Sequence, residues 1–181
     1  VGGGTSEMAV ISLGGIVASA SVRIGGVRLD AAIQDYIRRV YNLAIGERTA
    51  ENMKIQIGSA MFMEEKLEME VKGRDLIGGM PKIVKVTSDD ITEAIRGELQ
   101  GIIDTVKEVL QKTPPELSAD VMDKGIVMSG GSSQLRNLNT LIAEATGVPT
   151  FVAEDSQLCV VRGTGIALEN LEAYKRSIFT T

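Results

Sequence analysis

Two clusters of glycine and hydroxyl residues, Gly2-Gly3-Gly4-Thr5 and Met128-Ser129-Gly130-Gly131-Ser132-Ser133-Gln134, are the stretches of this 181-residue chain best suited to holding an anion. Glycine exposes backbone N–H groups, and a strand followed by a glycine-rich turn and a helix points those groups, with the helix dipole, at a phosphate. The second cluster is expected to have that strand-turn-helix form. The first is followed by a strand, so it can wrap a phosphate only with its amides and the Thr5 hydroxyl. Neither cluster is a GxxxxGK[ST] loop, nor a GxGxxG that opens a helix after a strand. On spacing alone, each cluster is equally consistent with a tight turn. Glu51 and Lys54, three residues apart on a predicted helix, share one face and could grip a ligand or simply pair with each other in solvent.

Composition removes several other chemistries. The chain has no histidine, which excludes Ser-His-Asp and Cys-His pairs and imidazole metal ligands, and no metal ligands are predicted. With 19 basic against 24 acidic side chains and a pI near 4.9, there is no electrostatic footprint for nucleic acid or anionic lipid. The single cysteine, Cys159, permits no internal disulfide, and no apolar run approaches the roughly 20 residues of a membrane span. A reducing, cytoplasmic setting is expected. The start VGGGTSE lacks the pattern of a secretory signal, and a valine within a glycine cluster reads as the start of a truncated chain.

The elements that hold these residues follow from periodicity. Met8 to Leu13 and Val17 to Ile24 predict a hairpin turning at Gly14-Gly15. Ile33, Ile37, Val40, Tyr41 and Ala44 predict a helix from Asp30 that stops at Gly46, and Thr49 is expected to cap a second helix running to Gly58. KLEMEVK (66–72) and Lys82 to Val86 predict a strand pair, one face wet, joined by a turn containing Gly73 and Gly78-Gly79. Thr87 and Asp90 have capping-box spacing, and Ile91, Ile95, Leu99, Ile102, Val106 and Leu110 continue as a helix until Pro114-Pro115. A buried strand at Gly125 to Met128, a helix carrying Leu135, Leu138, Leu141 and Ile142 to Gly147, and a strand at Thr150 to Ala153 come next. The last helix, Gln157 to Arg176, is expected to pack closely at Gly163 and Gly165, with Cys159 buried.

Four motifs in order, VGGGTSEMAVISLGGIV, IGERTAENMKIQIG, KTPPELSADVMDKGIVMSGGSSQLRNL and AEDSQLCVVRGTGIALEN, resemble the second half of the MreB family of bacterial actin-like cytoskeletal proteins. The resemblance spans essentially the whole chain. It implies an α/β fold, one half of an actin-like ATPase with a ribonuclease-H-like sheet and a small α+β outer subdomain inserted. Residues 1–27 and 92–160 would form the inner subdomain, 28–91 the outer one, and 161–181 a hinge helix returning to a missing first half. The implied cofactor is ATP with Mg²⁺. Gly2, Gly3, Gly4 and Thr5 match a phosphate loop, with Thr5 placing the attacking water. Glu51, Asn52, Met53 and Lys54 match the helix that touches the nucleoside, and Gly130, Gly131, Ser132, Ser133 and Gln134 match the adenosine loop. The family often has a third glycine and an apolar residue where this chain has Ser132, Ser133 and Gln134.

The function implied is that of an ATP-dependent filament subunit that helps maintain bacterial rod shape at the inner face of the membrane. Its partners would be further copies, the first half, and cell-shape accessory membrane proteins. Loops near Arg74 to Pro81 would meet the next subunit in a heterologous contact. Direct membrane binding would belong to the other half. The family binds and slowly hydrolyses ATP, and this half by itself is expected to do neither well. The alternatives are half of another actin, Hsp70 or sugar-kinase superfamily ATPase, or an inert structural fragment.

Overall fold

The first strands fold back on each other through Leu13-Gly14, which both carry positive φ (51° and 77°), the backbone of a primed two-residue hairpin. In the computed structural model, which describes residues 1–171, β1 (Ser6–Ser12) and β2 (Gly15–Val22) pair antiparallel. Gly15 pairs with Ser12 and belongs to β2, so the turn sits one residue earlier than predicted.

Helix α1 (Gly26–Tyr41) begins four residues before the predicted Asp30 and ends at Asn42, whose left-handed φ of 52° closes it. Leu43–Ala44 is not helical but forms β3, which pairs with Arg74 and Asp75. Gly46 therefore does not stop α1. It is the N-cap of α2 (Glu47–Ile57), and Thr49, predicted to be the cap, lies inside that helix with its N–H bonded to the Gly46 carbonyl. The shift has a physical cause: Leu43 is fully buried as a strand residue, and tertiary pairing overrides the helical spacing of Ala44.

β4 (Glu68–Asp75) and β5 (Pro81–Thr87) extend this sheet in the order β3-β4-β5, with Gly73 inside β4 and not in the turn. Both arms of the Thr87/Asp90 capping box form at the start of α3 (Ser88–Lys112). The proline pair ends α3 as expected and also opens α4 (Pro115–Lys124), a helix the sequence reading missed. Proline is well suited to the first turn of a helix, where its missing N–H has no intrahelical partner to lose.

β6 (Ile126–Met128) and β7 (Thr150–Val152) pair parallel, with α5 (Leu138–Thr146) between them in sequence and Gly147 closing it at φ 75°. The loop after β6 enters a 3-10 turn over Gly131–Gln134 and not the expected α-helix, so the dipole of α5 is not aimed from Ser129-Gly130. The β1-β2 and β6-β7 pairs are separate ribbons, and a groove of about 590 Å³ lies between β1, β6, α3 and α4.

One apolar cluster unites the elements. Leu29, Ile33 and Ile37 of α1, Ala50, Met53 and Ile57 of α2, and Ile91, Ile95, Leu99 and Ile102 of α3 all lie within it. α6 (Cys159–Glu169) buries no residue. Nothing lies within 4 Å of a β-carbon placed at Gly163 or Gly165, so the predicted close packing is absent among the described residues. Cys159 is half-buried at the first position of α6, not in a core, because that helix lies on the surface. Arg176 and the rest of the predicted last helix lie outside the described residues. No helix among them is long and apolar enough to cross a membrane.

Candidate functional site

The two glycine clusters, 130 residues apart, are stitched together. Val1 donates its amino group to the Ser129 carbonyl at 2.6 Å, Ser132 N–H donates to the Val1 carbonyl at 3.2 Å, and Ser132 Oγ donates to the Gly2 carbonyl at 2.9 Å. The start of α1 closes the same knot: Gly26 N–H and Val27 N–H donate to the carbonyls of Gly2 and Gly3 at 3.0 and 2.9 Å. Those carbonyls replace the side-chain cap that Gly25 cannot provide. With the loop's oxygens turned toward α1, the N–H groups of Gly3 and Gly4 bond to no described residue, and a β-carbon at either position would meet open space.

A groove of about 520 Å³ opens beside this knot, within the size range of small-molecule sites. Gly3, Gly26, Val27 and Asp30 form one wall, Glu51, Lys54 and Ile55 of α2 another, and Gly131, Ser132, Gln134, Leu135, Arg136 and Gln157 the third. Lys54 does not pair with Glu51. Its ammonium sits 2.8 Å from Asp30 Oδ1, donates to Asp30 Oδ2 at 3.0 Å, and donates to the Gly26 carbonyl at 3.2 Å. Burial raises the Asp30 carboxyl pKa above the usual carboxylate range; the Lys54 bond and charge oppose that shift, and Glu51 and Glu47 add to it.

At the far end, Gln157 donates an amide N–H to Gln134 Oε1 at 3.3 Å, and Gln134 donates its own to Ser156 Oγ at 3.0 Å. Arg136 fixes the junction with α2 by donating to the Gly58 carbonyl at 2.8 Å, and Asn137 donates to Ser59 Oγ at 3.0 Å.

Of the residues singled out from sequence, Gly3, Glu51, Lys54, Gly131, Ser132 and Gln134 meet at this groove. Gly2 spends its carbonyl in the knot, and Gly130, at φ 91°, is pressed against Val1 where no side chain would fit. Gly4 and Thr5 are exposed beside the groove, and Asn52 is exposed on α2. Met53 is fully buried in the core, so its side chain cannot reach a ligand. Ser133 is also fully buried, donating to the Gly130 carbonyl at 2.6 Å. Asp30, Arg136 and Gln157 were missed. Asp30 would have been found had α1 been started at Gly26, since a carboxylate one turn into a helix that follows Gly25-Gly26 faces the same side as the glycine knot.

This arrangement can hold an elongated anionic ligand: open amides at the glycine loop for a phosphate, and mixed charge, apolar surface and amides along α2 and the 3-10 turn for a polar organic group.

The chain is similar to known proteins over nearly its whole length. The family model described as MreB/Mbl protein matches residues 1–176. The chain is 48% identical to the cell shape-determining protein MreB of Escherichia coli (strain K12) over 180 residues, 99% of this chain and 52% of that protein. It is 43% identical to the cell shape-determining protein Mbl of Bacillus subtilis (strain 168) over 172 residues, 95% of this chain and 52% of that protein. MreB5 of Spiroplasma citri bound to ADP superposes with a TM-score of 0.90 at 39% identity, covering 100% of this chain and 54% of that one. The MamK double helical filament, at 22% identity and a TM-score of 0.71, shares the actin-like α/β fold over 86% of this chain and 48% of its own. The chain spans about half the length of the curated relatives it matches. It belongs to the MreB/Mbl family.

Proposed function

We propose that this chain is the nucleotide-binding second half of an ATP-dependent, actin-like filament subunit that helps maintain bacterial rod shape. The observation that carries the reading is the groove in which Gly3, with its open amide, lies beside the Glu51/Lys54 face of α2 and the Gly131–Gln134 turn, with Gly4 next to it. MreB5 of Spiroplasma citri, alike in fold and 38–39% identical, has been seen bound to ADP and to AMPPNP. In this reading the glycine loop takes the phosphates and Thr5 orients a water, while Glu51 and Lys54 hold the nucleoside against Gly131, Ser132 and Gln134. ATP brings Mg²⁺ with it. Among the described residues no three acidic or cysteine side chains converge, so no residue of this chain is assigned to the cation.

The division into inner residues 1–27 and 92–160, outer residues 28–91 and a hinge helix from 161 belongs to the same reading, as do filament contacts near Arg74 to Pro81. That hairpin exposes Leu76, Ile77 and Met80, which suits a heterologous contact with a second copy. Accessory membrane proteins at the inner face of the membrane complete the proposed partners.

The test is titration of ATP into this chain and into a full-length protein that carries it. The full-length protein should bind ATP in the micromolar range. This chain, offering one wall of a cleft, should bind only at millimolar levels and release phosphate near background. Glu51→Ala and Lys54→Ala should each weaken ATP in the full-length protein by about 1–2 kcal/mol, the loss of a charge-assisted hydrogen bond. Unchanged affinity in both variants would return the pair to a purely structural role.

A further inference from the structure

Asp30 and Lys54 form the most enclosed ion pair on the groove wall, with side chains 14% and 12% exposed. The contact is two-pronged, 2.8 Å to Oδ1 and 3.0 Å to Oδ2, yet Oδ1 is buried and receives no well-aligned hydrogen bond. Burial raises the Asp30 pKa, and the Lys54 hydrogen bond and charge oppose that shift. A buried pair of this kind is weak evidence for stability, because apolar or neutral replacements are often as stable or more so. Removing one partner alone is another matter, because it leaves the other charge buried and unpaired.

The surroundings point to a different use. Lys54 is held by both Asp30 oxygens and by the Gly26 carbonyl, all on α1, and the residue lines the groove. Held by none of these, a lysine would sample many rotamers and lose that freedom on binding. α1 is itself fixed at its start by the Gly2 and Gly3 carbonyls. The position of Lys54 is thereby set relative to the phosphate-facing loop.

We propose that Asp30 is a positioning residue that pre-orients the Lys54 ammonium toward an oxygen of a bound nucleotide. The proposal rests on the nucleotide reading of this groove. Because Gly26 and Asp30 both hold Lys54, the glycine knot and the nucleoside helix act as one binding unit.

Three measurements test it on Asp30→Asn and Asp30→Glu, made in a full-length protein that carries this chain: ATP affinity, thermal midpoint, and the rate at which an amine-acylating reagent labels Lys54, read by mass spectrometry. Asp30→Asn should weaken ATP about tenfold, the scale of one charge-assisted contact, and accelerate labelling of Lys54, with a lower midpoint because the ammonium is left without its counter-charge. Asp30→Glu, which keeps the charge, should recover part of the affinity. A lowered midpoint with unchanged affinity for the folded protein would overturn the proposal and make the pair structural. If the unsubstituted protein fails to bind ATP, the nucleotide reading falls. The labelling rates then decide separately: equal rates in wild type and Asp30→Asn overturn positioning, and a faster rate in the variant upholds it.

Discussion

Ser132 Oγ donates to the Gly2 carbonyl at 2.9 Å, so the two glycine clusters are joined to each other and are not two independent loops. The same carbonyl accepts Gly26 N–H at 3.0 Å, which places the start of α1 in the junction as well. Sequence spacing cannot show such a join, since the residues involved are 130 apart.

Ser132→Ala removes one of the two donors to the Gly2 carbonyl and leaves it partnered by Gly26. No buried acceptor is orphaned, so the cost should be modest, about 1 kcal/mol by denaturant titration. Amide hydrogen exchange should accelerate over residues 1–5 while the α3 core stays protected. Uniform acceleration across the chain would show that the bond does not act locally.

Gly25→Ala should be worse. A β-carbon there would lie 2.6 Å from the Gly2 carbonyl oxygen and 2.7 Å from the Gly3 carbonyl carbon, and backbone cannot yield as a flexible side chain can. The two segments must separate, breaking the bonds from Gly26 and Val27 that cap the start of α1. About 2–3 kcal/mol should be lost, combining overpacking with a lost helix start. Gly4→Ala is the control, since open space surrounds its β-carbon, and it should change stability by less than about 0.5 kcal/mol.

The capping box of α3 makes stability depend on pH at both the acid and the alkaline end. Asp90 accepts from Thr87 N–H and Thr87 Oγ1, both at 2.8 Å, from Tyr41 at 2.9 Å and from Tyr36 at 3.3 Å. Burial pushes its pKa up, but these bonds together hold it below the ordinary value of 3.8. The stabilisation it confers is present above that value and is lost as pH falls through the lowered one. Tyr41 is pushed up to about 12, first by burial and then by the Asp90 bond. Its protonated form is favoured in the fold, so its contribution is full below about pH 10 and is lost as pH rises toward 12. Asp90→Asn should flatten the acid decline and cost about 1–2 kcal/mol at neutral pH, and Tyr41→Phe should flatten the alkaline one. Urea midpoints followed across pH would refute this assignment if both variants kept the wild-type profile.

How much of this could be read from the sequence depended on whether local or distant forces decided each element. α3 was legible because its capping box and apolar spacing agree with its burial: Ile91, Ile95 and Ile102 are fully buried. The end of α1 was not, because Ala44 fits a helical stripe and only the pairing of Leu43–Ala44 with β4 makes it a strand. α4 was hidden by reading Pro114-Pro115 as an end alone. At the site, the glycine clusters and the Glu51/Lys54 face stood out as candidates and the family resemblance assigned them to one ligand, but a shared helix face did not show which partner Lys54 would choose. Asp30 wins because it lies across a buried helix contact, whereas Glu51 stays in water, where an ion pair gains little.

The described part of the last helix should drive self-association. Val160, Val161, Ile166 and Leu168 of α6 are 72, 63, 52 and 69% exposed, and no residue of this helix is buried. Four large apolar side chains exposed on one helix, which buries no described residue, are the kind of apolar surface that a monomer rarely leaves open. The hairpin tip adds Ile11, Leu13 and Ile16, also exposed, but on a separate element, so the two patches can be tested apart. Ile166→Ser with Leu168→Ser should shift this chain toward monomer at equal concentration, read by sedimentation equilibrium, with little change in stability because neither side chain is in the core. Ile11→Ser with Ile16→Ser should leave that equilibrium in place if α6 is the main contact. A monomeric unsubstituted chain at high concentration, with α6 amides protected from exchange, would mean that this helix folds back onto its own body in solution and that its apolar face is already covered.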